Sequence, residues 1–149
     1  MMKSIKILKT LFIIFFLSFP FSAHAQTTEE IIKGRKAMFS ENYQNAKRIS
    51  VLLKSGKIDE AKPLMEKISK NYTKLLDYFP DNTKEGFKTE ALPSIWENKK
   101  EFNELMKKAS DDMVKLAEAV DTAKDLRAIQ KKFMWSNCSA CHSRFRAPH

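Results

Sequence analysis

Glycine and proline are scarce, three and five in 149 residues, and no stretch alternates apolar with polar side chains. Strands and tight hairpins need those signals, so a sheet fold is excluded and helix is expected throughout. Cysteine is rarer still, with two residues in the whole chain. Both fall within five residues near the end, so a second cysteine knuckle of the kind a zinc module uses is missing. Repeats and low-complexity tracts are also absent. Basic residues outnumber acidic ones, 27 to 18, but the lysines are scattered and accompany no nucleic-acid motif. Nucleic acid is therefore not an expected partner; the charge reads as a solvated surface with a mild preference for an acidic protein partner.

The one long apolar stretch lies at the start. Lys3, Lys6 and Lys9 precede a charge-free run from Leu11 to Ala23, and "AHA" (Ala23 to Ala25) supplies small residues for a cleavage site. That is the layout of a secretory signal peptide over residues 1–25, and the run is shorter than the ~20 residues that span a bilayer. An uncleaved anchor is the alternative. Cleavage leaves residues 26–149 as one domain with a net charge of +6, because three of the 27 basic and none of the 18 acidic residues go with the leader. The mature chain is then periplasmic, with no stable membrane insertion. Outside the cytoplasm vicinal thiols tend to oxidise, so the cysteines should be paired, metal-bound or covalently occupied.

Four amphipathic segments follow. The first, Thr28 to Lys54, opens with Thr27 and Glu30 at capping-box spacing, turns Ile31, Met38, Ala46, Ile49 and Leu53 inward, and stops at Gly56. The second, Asp59 to Phe79, carries Ala61, Leu64, Met65, Ile68, Tyr72, Leu75, Leu76 and Phe79, with Pro63 in its first turn and Pro80 as its stop. After a long connection (Pro80 to Pro93), the third starts at Ser94, with Glu97 completing a second capping box. Its face is Trp96, Phe102, Leu105, Met106, Ala109, Met113, Leu116, Ala117 and Val120. The fourth, Asp125 to Phe145, turns Leu126, Ile129, Phe133 and Met134 inward. Four helices of about 20 to 27 residues, mostly joined by short links, predict an all-α antiparallel four-helix bundle.

The chemistry is concentrated in "CSACH", Cys138 to His142. On a helix, at ~100° per residue, Cys141 and His142 lie within about 60° of Cys138 on either side. All three share the core-facing side with Met134 and Phe145. Four uses compete. A disulfide between positions i and i+3 of a regular helix is hard to close without distortion. A thioredoxin-like pair belongs in a βαβ context that this chain lacks. Zinc needs four ligands, or three and water, and the mature chain adds only His149. Cys-x-x-Cys-His also attaches haem c, with two thioethers to the vinyl groups and the imidazole on iron. Export and a helical setting favour this last use. Arg35 is the odd residue of the first helix, a cation on the inward stripe. Either it snorkels at the bundle's end or it pairs with a haem propionate.

With the motif closing the last helix of a bundle, the chain resembles the class II c-type cytochromes, the cytochrome c' group. The likeness runs from about residue 29 to 146. It is strongest in "ALPSIWENKKEFNELM" (Ala91 to Met106) and "CSACHSRFR" (Cys138 to Arg146), and visible in "GRKAMF" (Gly34 to Phe39). The resemblance implies one covalent haem c with His142 as the axial iron ligand, Arg35 on a propionate and Arg146 on the proximal side. Low-spin members place a methionine four residues after the first-helix arginine. Here that position holds Phe39, which would line the distal pocket, while Met38 stands next to it as an alternative sixth ligand. The implied function is one-electron transfer with redox partner proteins. An open iron under Phe39 would instead bind NO or CO. A homodimer through the first two helices goes with the high-spin relatives, whereas low-spin ones include monomers. No acid–base pair or nucleophile accompanies the motif, so an enzyme is not expected; a thiol–disulfide enzyme is the weakest alternative.

Overall fold

The computed structural model describes residues 26–148; residues 1–25, where a signal peptide is expected, and His149 lie outside them. Among the described residues, four helical rods form a four-helix bundle. The first rod is α1, Thr28–Lys54. Its capping box forms as expected: the Thr27 hydroxyl accepts from the Glu30 amide, and the Glu30 carboxylate accepts from the Thr27 amide at 2.8 Å. Gly56 follows at φ +73°, a left-handed position that a side chain would strain.

The second rod is α2, Ile58–Leu75, which tightens into a 3₁₀ turn at Leu76–Tyr78. Because α2 begins at Ile58, Pro63 is its sixth residue, past the first turn, and is tolerated at an exposed position. The connection that follows is held to α1 from both sides. Gly34 lets the Tyr78 ring approach so closely that a Cβ there would sit 2.8 Å from Tyr78 Cε1. Arg35 reaches in beside it.

The third rod is broken at Asn98 into α3, Ser94–Glu97, and α4, Lys99–Ala119. The second capping box does not form. Pro93 takes the cap position in helical conformation, and the Ser94 hydroxyl instead donates to the Arg144 carbonyl at 2.8 Å. That bond joins the third rod to the end of the fourth. A one-pair β-bridge, Ala91 with Arg146, extends the seam, with Leu92 N–H donating to Phe145 O and Ala147 N–H to Glu90 O.

The fourth rod starts at Asp125, whose carboxylate accepts from the Ala128 amide, and runs through α5 (Leu126–Gln130), a π-helical turn (Lys131–Trp135) and α6 (Ser136–Phe145). The π turn places one extra residue in the helix, so Phe133 and Met134 both turn inward. Asn137 Nδ2 donates to the Phe133 carbonyl at 2.9 Å and Ser136 Oγ to the Lys131 carbonyl at 2.7 Å, which helps satisfy the widened turn. Asn137 is itself tied to α4 through the buried Asp112 carboxylate.

The apolar interior falls into two clusters. One gathers Ile49, Leu53, Met65, Ile68, Met113, Leu116 and Met134. The other gathers Leu75, Phe79, Ile95, Phe102, Met106 and Phe145, with stacked aromatic edges such as Phe79 on Phe102 at 4.7 Å. The inward stripe of α1 differs by one residue from the expected one. Ile32 is fully buried and Ile31 only partly. No helix among the described residues is long and apolar enough to cross a membrane.

Candidate haem-binding site

Between the two clusters lies a cavity of about 720 Å³, inside the ~300–1,000 Å³ range typical of cofactor pockets. One wall is α6, which brings Cys138, Cys141 and His142 to the cavity together, with Arg146 just beyond the helix end. The facing wall is α1, contributing Arg35, Phe39, Asn42 and Ala46 at alternating spacings of four and three. Tyr72 and Phe79 line it too, and Phe102, Met113 and Phe133 are part of its apolar lining.

The two thiols are not joined. Burial pushes both upward. Cys141 rises to about 11, its neighbour Cys138 adding to the effect and Arg146 opposing it. Cys138 also rises, burial again leading, and is partly relieved by the Tyr72 hydroxyl beside it. Burial likewise holds the Tyr72 phenol above its usual value. Thiols held protonated in apolar surroundings are poor nucleophiles, the opposite of what a dithiol oxidoreductase needs.

Arg35 is 2% exposed. Its two terminal nitrogens donate to Thr89 Oγ1 at 2.6 Å, to Thr83 Oγ1 and Thr83 O at 2.9 Å each, and to Tyr78 O at 3.2 Å. The guanidinium also stacks 4.6 Å over Phe79. Its hydrogen bonds go to hydroxyl and carbonyl oxygens, and burial lowers its pKa to about 10, so it stays charged at neutral pH. A buried cation beside two thiols and an imidazole is a set that fits a covalent haem: thioethers for the vinyls, an axial nitrogen for iron and a counter-charge for a propionate.

Phe39 lines the cavity, but Met38 does not; it packs against the Phe79–Phe102 cluster. Arg146 lines the cavity on the α6 side, while Arg144 points outward and pairs with Glu101. Asn42 was not among the site residues expected from the sequence. It is 4% exposed, and its side chain lines the cavity one turn beyond Phe39. The available signal was the unbroken seven-residue stripe Ile32, Arg35, Phe39, Asn42, Ala46, Ile49, Leu53, which admits two polar residues.

A helical bundle whose last helix turns Cys-x-x-Cys-His into a buried cavity defines a c-type cytochrome of the four-helix class. The comparisons narrow this further. Residues 30–146 match the family model described as Cytochrome C'. Cytochrome c' of Rhodopseudomonas palustris is 32% identical over 131 residues, 85% of this chain and 88% of that protein. The solved structure of cytochrome c' from Rhodopseudomonas palustris superposes with a TM-score of 0.68 at 32% identity, covering 83% of this chain and 98% of that one. A nitric oxide complex of a cytochrome c prime variant from Alcaligenes xylosoxidans superposes with a TM-score of 0.70 at 22% identity, covering 84% and 100%. The chain belongs to the cytochrome c' family and carries one covalently attached haem c with its iron.

Proposed function

We propose that this chain is a periplasmic, monohaem electron carrier and not an enzyme. Cys138 and Cys141 tether the haem, His142 is the axial ligand, Arg35 faces a propionate, Arg146 flanks the proximal side and Phe39 covers the distal side. The haem iron supplies the one-electron couple between ferric and ferrous states. The chain's own part is to fix the imidazole on a helix anchored at both ends, to keep water from the apolar walls, and to set a positive charge where a carboxylate would lie. Redox proteins are its partners.

The observation that carries this reading is the convergence of both thiols and the imidazole on one buried cavity. The raised thiol pKa values weigh against the thiol–disulfide alternative. A second reading, binding of NO or CO, is favoured by Phe39 rather than Met38 on the cavity wall, since phenylalanine cannot ligate iron. The Alcaligenes xylosoxidans neighbour is itself a nitric oxide complex.

The test is the optical spectrum of the holoprotein, produced by export in a host with haem-maturation machinery. A high-spin ferric Soret band and a broad ferrous visible band are expected, with His142→Ala changing both. A sharp ferrous α-band would assign a sixth protein ligand, with Met38 the first residue to substitute. An unchanged spectrum in His142→Ala would sink the axial assignment.

A further inference from the structure

A second hollow, of about 770 Å³, is bounded by the last turns of α1 and by the fourth rod as far as its π turn. None of Cys138, Cys141 and His142 lines it. Its apolar lining is Leu53, which is 2% exposed, with the half-buried Leu126 and Trp135. Its charged lining is Lys54 from α1 and Arg127 and Lys131 from the fourth rod, all three exposed. Trp135 lines the haem cavity as well.

The charges around this hollow are all of one sign. No acidic residue lines it. Asp125, next to Leu126 in the chain, turns its carboxylate to the Ala128 amide at 2.9 Å. Among the described residues, Lys54, Arg127 and Lys131 take part in no ion pair, whereas Lys57 pairs with Glu60 at 2.9 Å and Lys62 with Asp121 at 2.6 Å. The two uncharged polar residues of the lining spend donors on their own helices: Ser50 Oγ donates to Ala46 O and Gln130 Nε2 to Leu126 O, at 3.1 Å each. Three cations on two rods repel one another, and an anion among them removes that repulsion. A small hydrophilic anion would leave Leu53, Leu126 and Trp135 wet. An uncharged apolar molecule would leave the cations without a counter-charge. One molecule with both parts satisfies both.

We infer that this hollow binds a free amphipathic carboxylate, with its apolar body on Leu53, Leu126 and Trp135 and its head among Lys54, Arg127 and Lys131. The site does not depend on the spin state of the iron or on its sixth ligand.

The experiment is calorimetric titration of the holoprotein with octanoate, butanoate and 1-octanol. Octanoate should bind one to one, and at least about tenfold more tightly than either the shorter acid or the uncharged alcohol. Arg127→Glu and Lys54→Glu, on separate rods and both exposed, should each weaken octanoate by about fivefold or more. Lys107→Glu on α4, which lowers the net charge equally, should change it by less than about twofold. Absence of octanoate binding, equal affinity for 1-octanol, or unchanged affinity in both Arg127→Glu and Lys54→Glu would overturn the inference. Co-sedimentation with phosphatidylcholine–phosphatidylglycerol vesicles tests a lipid surface. Vesicle binding that Arg127→Glu abolishes, together with no octanoate binding, would assign the cations to a membrane and overturn the free ligand.

Discussion

Arg35 holds the loop between the second and third rods as well as facing the cavity. Its four hydrogen bonds end on Tyr78, Thr83 and Thr89, none of them near it in sequence. Lysine keeps the charge but has one nitrogen in place of a planar fork. Arg35→Lys should therefore leave buried carbonyl and hydroxyl groups unpaired and cost about 2–4 kcal/mol of holoprotein stability. Denaturant unfolding measures this, and a loss under about 0.5 kcal/mol would show that the loop is not anchored there. The residue was legible in the sequence as a cation on an inward stripe, but its loop partners were not. Hydrogen bonds to irregular backbone leave no periodic trace. Asn42 escaped for a related reason. Helical periodicity is read from apolar residues, and a stripe that admits Arg35 and Asn42 is harder to phase at its start, which is why Ile31 stood in for Ile32.

The same contrast holds for whole elements. The first capping box forms because Thr27 and Glu30 satisfy each other within one turn. The second has the same spacing but loses Ser94 to the carbonyl of Arg144, fifty residues on. The π turn is the element that sequence periodicity could least foresee, since its only sign is the adjacent inward pair Phe133 and Met134. It matters most for the site, because it sets the phase of everything C-terminal to it. Leu126 and Ile129 pack before the turn, Cys138 and Cys141 face the cavity after it. Deleting Lys132, an exposed residue of the turn, should convert it to ordinary α-helix and leave α6 facing as it does, because the turn absorbs one extra residue. Deleting Lys131 as well would remove a residue from regular helix, rotate α6 by about 100° against α5 and carry both thiols away from the cavity. Haem staining of denatured protein on a gel should show the covalent haem kept in the single deletion and mostly lost in the double one. Loss of the haem in the single deletion would show that the turn does not absorb the extra residue.

For the molecule as a whole, the haem completes a core that the chain leaves in two parts. The cavity is walled by Ile68, Met113 and Met134 from one apolar cluster and by Phe79, Phe102 and Phe145 from the other. Without the haem, apolar side chains of both clusters would face water across a space of about 720 Å³. The haem-free chain should then collapse into its cavity or lose fixed packing altogether. Either way α1 and α6 lose the separation that the cavity requires. Haem-free protein, made by Cys138→Ala with Cys141→Ala, should keep much of its helical circular dichroism, bind a hydrophobic dye, and melt without a sharp transition. The holoprotein should melt cooperatively and leave the dye unbound. A haem-free chain that melted as sharply and at the same temperature as the holoprotein would mean that the two clusters support each other directly, and that the cavity is a rigid property of the bundle and not a space the haem holds open.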